Sequence, residues 1–260
     1  MKFIFKHQLG IFIFIYLLFI KASIAQAPLT KNFWIVWNVG QGQWVTHVIN
    51  DECRHYDFGG ESQFFHRIKN KLTQHCSAST NLLFLSHWDT DHYLNIFNVV
   101  KVIPNICVAS FPPFNANPLQ LKKINSLKLK NCFQTKLQNL SIWHPSRNNQ
   151  RRLSKNDLSD IFQDQSFLIP GDSPIKQEVQ WVKKIKNPLQ IKILILGHHG
   201  SRTSTGQDLL KKFNNINQAI ASARYIKYQH PHTETVQRLK KFHISLLKTE
   251  DWGNIYFNAY

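Results

Sequence analysis

The chain has 260 residues, 43% of them apolar, and a formal net charge of +17. That length and apolar content suffice for one large domain with a substantial core. No internal repeat or low-complexity block divides the chain, which excludes repeat arrays and polar linker proteins.

In chain order, residues 1–25 read as a signal peptide. Lys2 and Lys6 flank the start, Leu9 to Ile20 is an apolar run, and Ser23-Ile24-Ala25 supplies small residues for cleavage. The run is closed by Lys21 and falls short of the ~20 residues that a bilayer span needs, so an uncleaved anchor is the lesser alternative. Cleavage removes Lys2, Lys6 and Lys21 and no acid, and leaves residues 26–260 as one strongly basic domain, secreted or periplasmic, with no stable membrane span. Export permits disulfides. Cys53, Cys76, Cys107 and Cys132 allow three pairings; Cys53 with Cys76 and Cys107 with Cys132 are favoured because each closes a short loop. None has the C-x-x-C spacing of a zinc ribbon or redox motif.

The first third reads as strands over 33–39, 44–49 and 53–58, separated by Gly40-Gln41-Gly42 and Asn50-Asp51-Glu52 turns. Helical spacing follows over 64–72, 93–100 and 119–129. Strands are expected at 82–85, 106–110 and 140–143. Residues 146–160 are polar and read as a mobile loop near the site. Beyond them, 174–185, 207–213 and 233–242 read as helices, and 191–196, 219–223, 244–247 and 254–257 as strands.

The chemistry is concentrated in His87-Trp88-Asp89-Thr90-Asp91-His92, directly after the apolar run Leu82 to Leu85. A buried strand followed by such a cluster puts the ligands on the loop at the strand's C-terminal end, where open α/β sheets place their sites. Imidazole with carboxylate suits Zn, Mn or Fe better than Mg or Ca. Three more groups follow strand-like runs or loops: Gly171-Asp172, His198-His199-Gly200-Ser201 and His230-Pro231. A polar loop that merely solvates a turn is the bland alternative for any one of them, and recurrence at successive strand ends argues against it.

These residues, together with Asn38-Val39-Gly40-Gln41-Gly42, Asp57-Phe58-Gly59-Gly60, Arg202-Thr203-Ser204-Thr205 and Trp252-Gly253-Asn254-Ile255, resemble the metallo-β-lactamase superfamily. More narrowly they resemble the C-terminal hydrolase-like domain of ComEC-type DNA-uptake proteins, in order and approximate spacing across residues 33–258. The resemblance implies an α/β fold, the four-layer αββα sandwich. It also implies two divalent metal ions, Zn or Mn, and a two-metal nuclease or phosphodiesterase acting on DNA. His87 and Asp89 would hold one ion, Asp91 and His92 the other. Asp172 would bridge, and His198 and His230 would complete the shells, with His199 a ligand or its support. Asp91, Asp172, His199 and Ser201 are the expected catalytic residues.

Two ions ~3.5–4 Å apart would activate water near neutral pH and stabilise charge on the attacking and leaving oxygens. Ser201, Arg202, Thr203 and Ser204 are placed to bind a scissile phosphate, while Ser204 or Thr205 would equally cap the helix before Gln207. Trp88 is expected to touch substrate, as is Tyr93; Trp34, Trp37 and Trp44 read as core. Asp57 would orient a ligand histidine or simply serve a turn, and His144 is a ligand or a strand-end histidine. His47, His55, His66, His75 and His243 lack ligand spacing. Family members usually carry acids at positions 38 and 43 and a Gly-Gly pair after the metal cluster; Asn38, Gln43 and Tyr93-Leu94-Asn95 depart from that.

The positive charge favours DNA or another phosphate polyanion as substrate, with a DNA-uptake channel as a conceivable protein partner. It is densest at Lys122, Lys123, Lys128 and Lys130, at Arg147, Arg151, Arg152 and Lys155, and at Lys183, Lys184 and Lys186. Solvated faces of a generally basic protein are the alternative source. Hydrolysis of another ester, a phosphorylcholine-type diester or a lactone, is the rival enzyme reading. A nucleic-acid binding module without turnover is the non-enzyme one.

Overall fold

Period-two alternation of apolar residues sorts the strands' side chains onto two faces, and both faces are buried. In the computed structural model, described for residues 31–112, 116–132, 137, 139–145 and 153–258, Trp34 and Val36 point one way while Ile35 and Trp37 point the other; all four are fully buried. Leu82 and Phe84 alternate with Leu83 and Leu85 in the same manner, as do Ile193 and Ile195 with Leu194 and Leu196. A strand that is apolar on both faces must be covered on both, and layers of helix and sheet follow from that.

The strands are β1 (Asn32–Val36), β2 (Val45–Ile49), β3 (Glu52–Tyr56), β4 (Thr80–Phe84), β5 (Ile106–Ser110), β6 (Lys130–Asn131), β7 (Leu140–Trp143), β8 (Ile161–Asp164), β9 (Phe167–Ile169), β10 (Ile193–Ile195), β11 (Gln218–Ala221), β12 (Ser245–Lys248) and β13 (Ile255–Asn258). Seven form one sheet, in the order β13-β1-β2-β3-β4-β5-β6, and six the other, β12-β11-β10-β9-β8-β7. Each sheet is antiparallel at one side and parallel at the other.

Three apolar clusters occupy the three interfaces of the sandwich. Trp34, Tyr56, Phe84, Phe162 and Phe167 fill the space between the sheets. The first sheet's outer face is covered by the helix Phe65–Cys76, which buries Phe65, Ile68, Leu72 and Cys76 at helical spacing. The second sheet's outer face carries Trp181, Leu209, Leu210 and Leu239 from the helices Ile175–Trp181, Gln207–Lys212 and Thr233–Lys241. The expected four-layer αββα sandwich is the observed architecture. Burying side chains of this size contributes about 1.5–3 kcal/mol each. One polar hub ties the sheets together: Asp164 on β8 accepts from Tyr56 Oη (2.5 Å), His47 Nδ1 (2.9 Å) and Arg54 Nη1 (3.3 Å), all from the other sheet.

Several elements differ from the expectation. The helix expected over 93–100 is two short turns, Thr90–Tyr93 and Ile96–Val99, so Asp91 and His92 lie on a helical turn and not in a loop. Of the polar stretch 146–160, residues 153–160 are described; Asn156–Leu158 is a 3-10 turn with Asp157 and Leu158 buried. β8 was hidden behind that stretch. The expected signal peptide lies outside the described residues. Among the described residues no helix is long and apolar enough to cross a membrane.

Both favoured disulfides are present, Cys53–Cys76 and Cys107–Cys132, closing loops of 23 and 25 residues. Cross-linking loops of this length contributes about 3 kcal/mol each by restricting the unfolded chain. Replacing either pair with serine is expected to lower the thermal midpoint by about 10 °C. Cys53 and Cys76 are fully buried whereas Cys107 and Cys132 are half-buried. Mild thiol treatment followed by alkylation and peptide mapping should therefore label Cys107 and Cys132 first, and equal labelling of all four would refute the distinction.

Candidate metal centre

The expected ligands come from four strand ends: His87 to His92 after β4, Asp172 after β9, His198 and His199 after β10, and His230 beyond β11. Asp172 stands at their centre, 2% exposed. Its two oxygens face different imidazoles. His92 Nε2 is 3.1 Å and His199 Nε2 3.8 Å from Oδ1, while His87 Nε2 is 3.7 Å and His198 Nε2 3.6 Å from Oδ2. The remaining carboxylates extend the two sets: Asp91 Oδ2 lies 3.0 Å from His199 Nε2, and Asp89 Oδ2 lies 3.6 Å from His87 Nε2. One set is therefore His87, Asp89, His198 and one oxygen of Asp172; the other is Asp91, His92, His199 and the second oxygen.

The donor chemistry fits divalent cations. His87 Nε2, His92 Nε2 and Asp172 Oδ1 are buried and make no hydrogen bond. The 3.1 Å approach of His92 to Asp172 has ion-pair length without hydrogen-bond alignment, as expected of atoms aimed at a common centre. Three orphaned buried polar atoms in one place would cost several kcal/mol without a partner.

The tautomers agree. His92 Nδ1 is 2.7 Å from Asp57 Oδ2, and His87 Nδ1 is 3.0 Å from Ser86 Oγ, whose proton goes to Asp57 Oδ2 (2.8 Å). Each ring's proton is thus held on Nδ1, leaving the Nε2 lone pair free. Asp57 also accepts from Ser86 N (2.7 Å) and from Gln43 Nε2 (2.7 Å). It is fully buried and holds the ring of His92, an expected ligand, so it does more than serve a turn. Gln43 departs from the family pattern and serves here as a donor, where an acid would face Asp57 with like charge.

Ionisation follows the same geometry. Burial opposes the charge on Asp172, but His92 and His199 outweigh it and hold the carboxyl well below the usual range. Burial also works against a charged His92, and flanking Asp172 and Asp57 raise its pKa well above the ordinary value. A cation bound here would displace protons, and its binding would be correspondingly sensitive to pH.

The glycine motifs hold the acids in place. A Cβ on Gly59 would sit 1.8 Å from Asp91 O, the same carbonyl that accepts from Gln43 N and Gly60 N. A Cβ on Gly200, whose φ is +93°, would meet Pro231 at 2.5 Å. His198 and His199 both occupy the left-handed region, φ 50° and 55°. Two consecutive non-glycine residues there cost about 1–3 kcal/mol each, a strain that concentrates at functional sites.

Other expected residues fall elsewhere. Among the described residues His230 makes no approach to Asp172 like those of His87, His92, His198 and His199; Gln41 Nε2 lies 3.1 Å from its Nδ1. His199 stands beside Asp91 and Asp172, where it was expected as a ligand or its support. Trp88 is 2% exposed, and its indole N–H donates to Pro112 O (2.9 Å), so it belongs to the core and offers no stacking face. Ser204 is fully buried, which removes it from phosphate binding. Ser201 is 5% exposed and its Oγ pairs with Thr203 Oγ1 (3.0 Å). Arg202 and Thr203 are exposed. His144 sits at the end of β7, its Nδ1 2.8 Å from Asp160 Oδ1, and joins neither set.

Neither Ser204 nor Thr205 caps the helix Gln207–Lys212. The buried carboxylate of Glu178 does so from another helix, accepting from Thr205 N (2.5 Å) and Gly206 N (2.7 Å). Burial pushes the Glu178 carboxyl up to about 7. Its folded pKa exceeds its unfolded value of 4.5, so the folded state binds the extra proton between these values. Stability is highest below the unfolded value and falls as pH rises toward 7, by about 3 kcal/mol for a shift of this size. Denaturant titrations of wild type and Glu178→Gln from pH 4 to 8 should show that slope in wild type and a flatter profile in the variant; parallel profiles would refute it.

Sequence reasoning missed three residues near the centre. Lys155 Nζ is 3.0 Å from Asp89 Oδ1, and Asn156 Nδ2 is 3.5 Å from His198 Nδ1. Asp160 is buried, with its backbone N donating to Ser86 O (2.9 Å). Lys155 had stood out only as part of a basic cluster, and nothing local marked the other two.

No protein-family model matches the chain. Among curated proteins it is 29% identical over 235 residues to competence protein ComA of Neisseria gonorrhoeae, covering 85% of this chain and 31% of that protein. It is 24% identical over 239 residues to recombination protein 2 of Haemophilus influenzae, covering 89% and 30%. The chain thus spans about a third of the length of these relatives. Among solved structures it superposes on the metallo-β-lactamase fold protein YhfI of Bacillus subtilis with a TM-score of 0.56 at 10% identity, covering 88% of this chain and 100% of that one. A diphosphatase of the PhnP family gives 0.54 at 10% identity, covering 88% and 98%. With its two sheets and outer helices, this chain has the metallo-β-lactamase fold, and in sequence it is similar to competence proteins.

Proposed function

We propose that this chain is an exported two-metal phosphodiesterase that cuts DNA. The observation that carries the reading is Asp172, a buried carboxylate with a different pair of imidazoles on each of its oxygens. His87, Asp89, His198 and Asp172 would hold one cation; Asp91, His92, His199 and Asp172 the other. Zn and Mn suit this mixture of nitrogen and oxygen donors. Two such cations supply an activated water near neutral pH and neutralise charge developing on the phosphate.

The chain's own residues do the rest. Asp57 and Ser86 hold two ligand imidazoles in one tautomer. Lys155, on Asp89, brings a positive charge to the rim, and Arg202 and Thr203 present exposed donors beside His198 and His199. The exported chain, without Lys2, Lys6 and Lys21, keeps a net charge of +14, which favours a polyanion over a neutral ester or lactone. Similarity to competence proteins supports DNA as that polyanion and a DNA-uptake channel as a partner.

The test is hydrolysis by the chain loaded with Mn or Zn. Single-stranded DNA, double-stranded DNA and bis(p-nitrophenyl) phosphate are compared, each with and without chelator. Chelator-sensitive DNA cutting is expected. Turnover of the small diester with intact DNA would replace DNA by a small phosphodiester, and bound metal without any turnover would leave a binding role.

A further inference from the structure

We propose that Gln41 locks His230 in the tautomer with its proton on Nε2, making His230 a hydrogen-bond donor to substrate phosphate and not a metal ligand. The backbone N–H of Arg224 can only donate, and it lies 3.2 Å from Gln41 Oε1. That contact fixes which end of the amide is oxygen, so the amide nitrogen faces His230 Nδ1 at 3.1 Å. An amide nitrogen also only donates. His230 Nδ1 must therefore accept, and a neutral imidazole that accepts on Nδ1 carries its proton on Nε2.

Neither ring nitrogen then has a lone pair for a cation: one receives the Gln41 hydrogen bond and the other bears the proton. The geometry agrees: His87, His92, His198 and His199 each bring Nε2 within 3.8 Å of Asp172, and among the described residues His230 makes no such approach to a carboxylate. The ring is half-buried, and Nε2 makes no hydrogen bond among the described residues. Gln41 is itself braced. It is 5% exposed, its backbone N lies 3.3 Å from Glu61 Oε2, and Glu61 pairs with Arg224 through both oxygens at 2.9 Å. The G-Q-G turn, remote in sequence, thus orients an N–H beside the metal-ligating histidines, where a phosphoryl oxygen is the acceptor it would meet. The role toward phosphate rests on the phosphodiesterase reading; the tautomer does not.

The experiment is a long-range proton–nitrogen NMR correlation on zinc-loaded, 15N-histidine-labelled chain, with His230→Ala used to assign the signal. An Nε2-protonated pattern for His230 is expected. Gln41→Glu, whose carboxylate accepts from Nδ1–H, should convert that signal to the Nδ1-protonated form. Zinc content measured in parallel should be unchanged in His230→Ala and reduced in His199→Ala. On DNA, His230→Ala should lower kcat/KM by about a hundredfold, the effect of losing one donor to a developing oxyanion, while His230→Gln, which restores an N–H, recovers part of it. Nδ1 protonation in wild type, or loss of zinc from His230→Ala, would overturn the proposal. An Nε2-protonated ring in a chain that leaves DNA intact would overturn the role toward phosphate and leave the tautomer standing.

Discussion

Replacing Asp172 with alanine is expected to abolish tight binding of divalent cations and to lower hydrolysis at least about a thousandfold, the several kcal/mol that paired cations contribute to stabilising transition-state charge. The physical reason is that one carboxylate serves both donor sets. His92 and His199 converge on its Oδ1, His87 and His198 on its Oδ2, and among the described residues no other carboxylate faces imidazoles on both of its oxygens. Asparagine in its place would keep one oxygen but turn an N–H toward imidazoles that already lack partners, so Asp172→Asn should lose nearly as much. Metal content by mass spectrometry and kcat/KM on the same samples check this. Retention of both cations by either variant would refute the bridging role.

Asp57→Ala is expected to damage both stability and metal affinity. It strands four buried donors at once: Ser86 N, Ser86 Oγ, Gln43 Nε2 and His92 Nδ1. Leaving a buried hydrogen-bonded charge site half-empty costs about 3–5 kcal/mol, and losing the group that orients a ligand imidazole costs about 10- to 100-fold in metal affinity. Asp57→Asn separates the two effects. Its oxygen can still accept from Ser86 N, but its amide nitrogen would face His92 Nδ1, favouring the tautomer with the proton on Nε2 and blocking ligation. Asn should therefore unfold at a higher temperature than Ala yet bind metal no better. Calorimetry of the metal-free proteins and zinc titration of each would show it, and wild-type zinc affinity in Asp57→Asn would sink the tautomer argument.

Much of this molecule was legible from local pattern. The alternation of Trp34 and Val36 against Ile35 and Trp37, and of Leu82 and Phe84 against Leu83 and Leu85, is a property of neighbouring residues, and it specified strands buried on both faces and hence a layered sandwich. The H-x-D-x-D-H cluster, Asp172 and the His198-His199 pair were visible because the ligand types sit at strand ends, where chain order alone brings them to one rim. The favoured disulfides followed from short loops. What local pattern misjudged was side-chain direction on short turns: Trp88, inside the metal cluster, turns into the core because Pro112 O accepts its N–H.

The tertiary structure alone decided which nitrogens are free. Whether His87 and His92 offer a lone pair depends on Asp57 and Ser86, on separate strand ends, and whether His230 does depends on Gln41, 189 residues away. The cap on the helix Gln207–Lys212 likewise comes from Glu178 across the fold and not from the adjacent Ser204 or Thr205. The sequence by itself determined the residue types, the layers and the rim at which they meet. It could not determine protonation and orientation, because these are set by hydrogen bonds between residues that only folding makes neighbours.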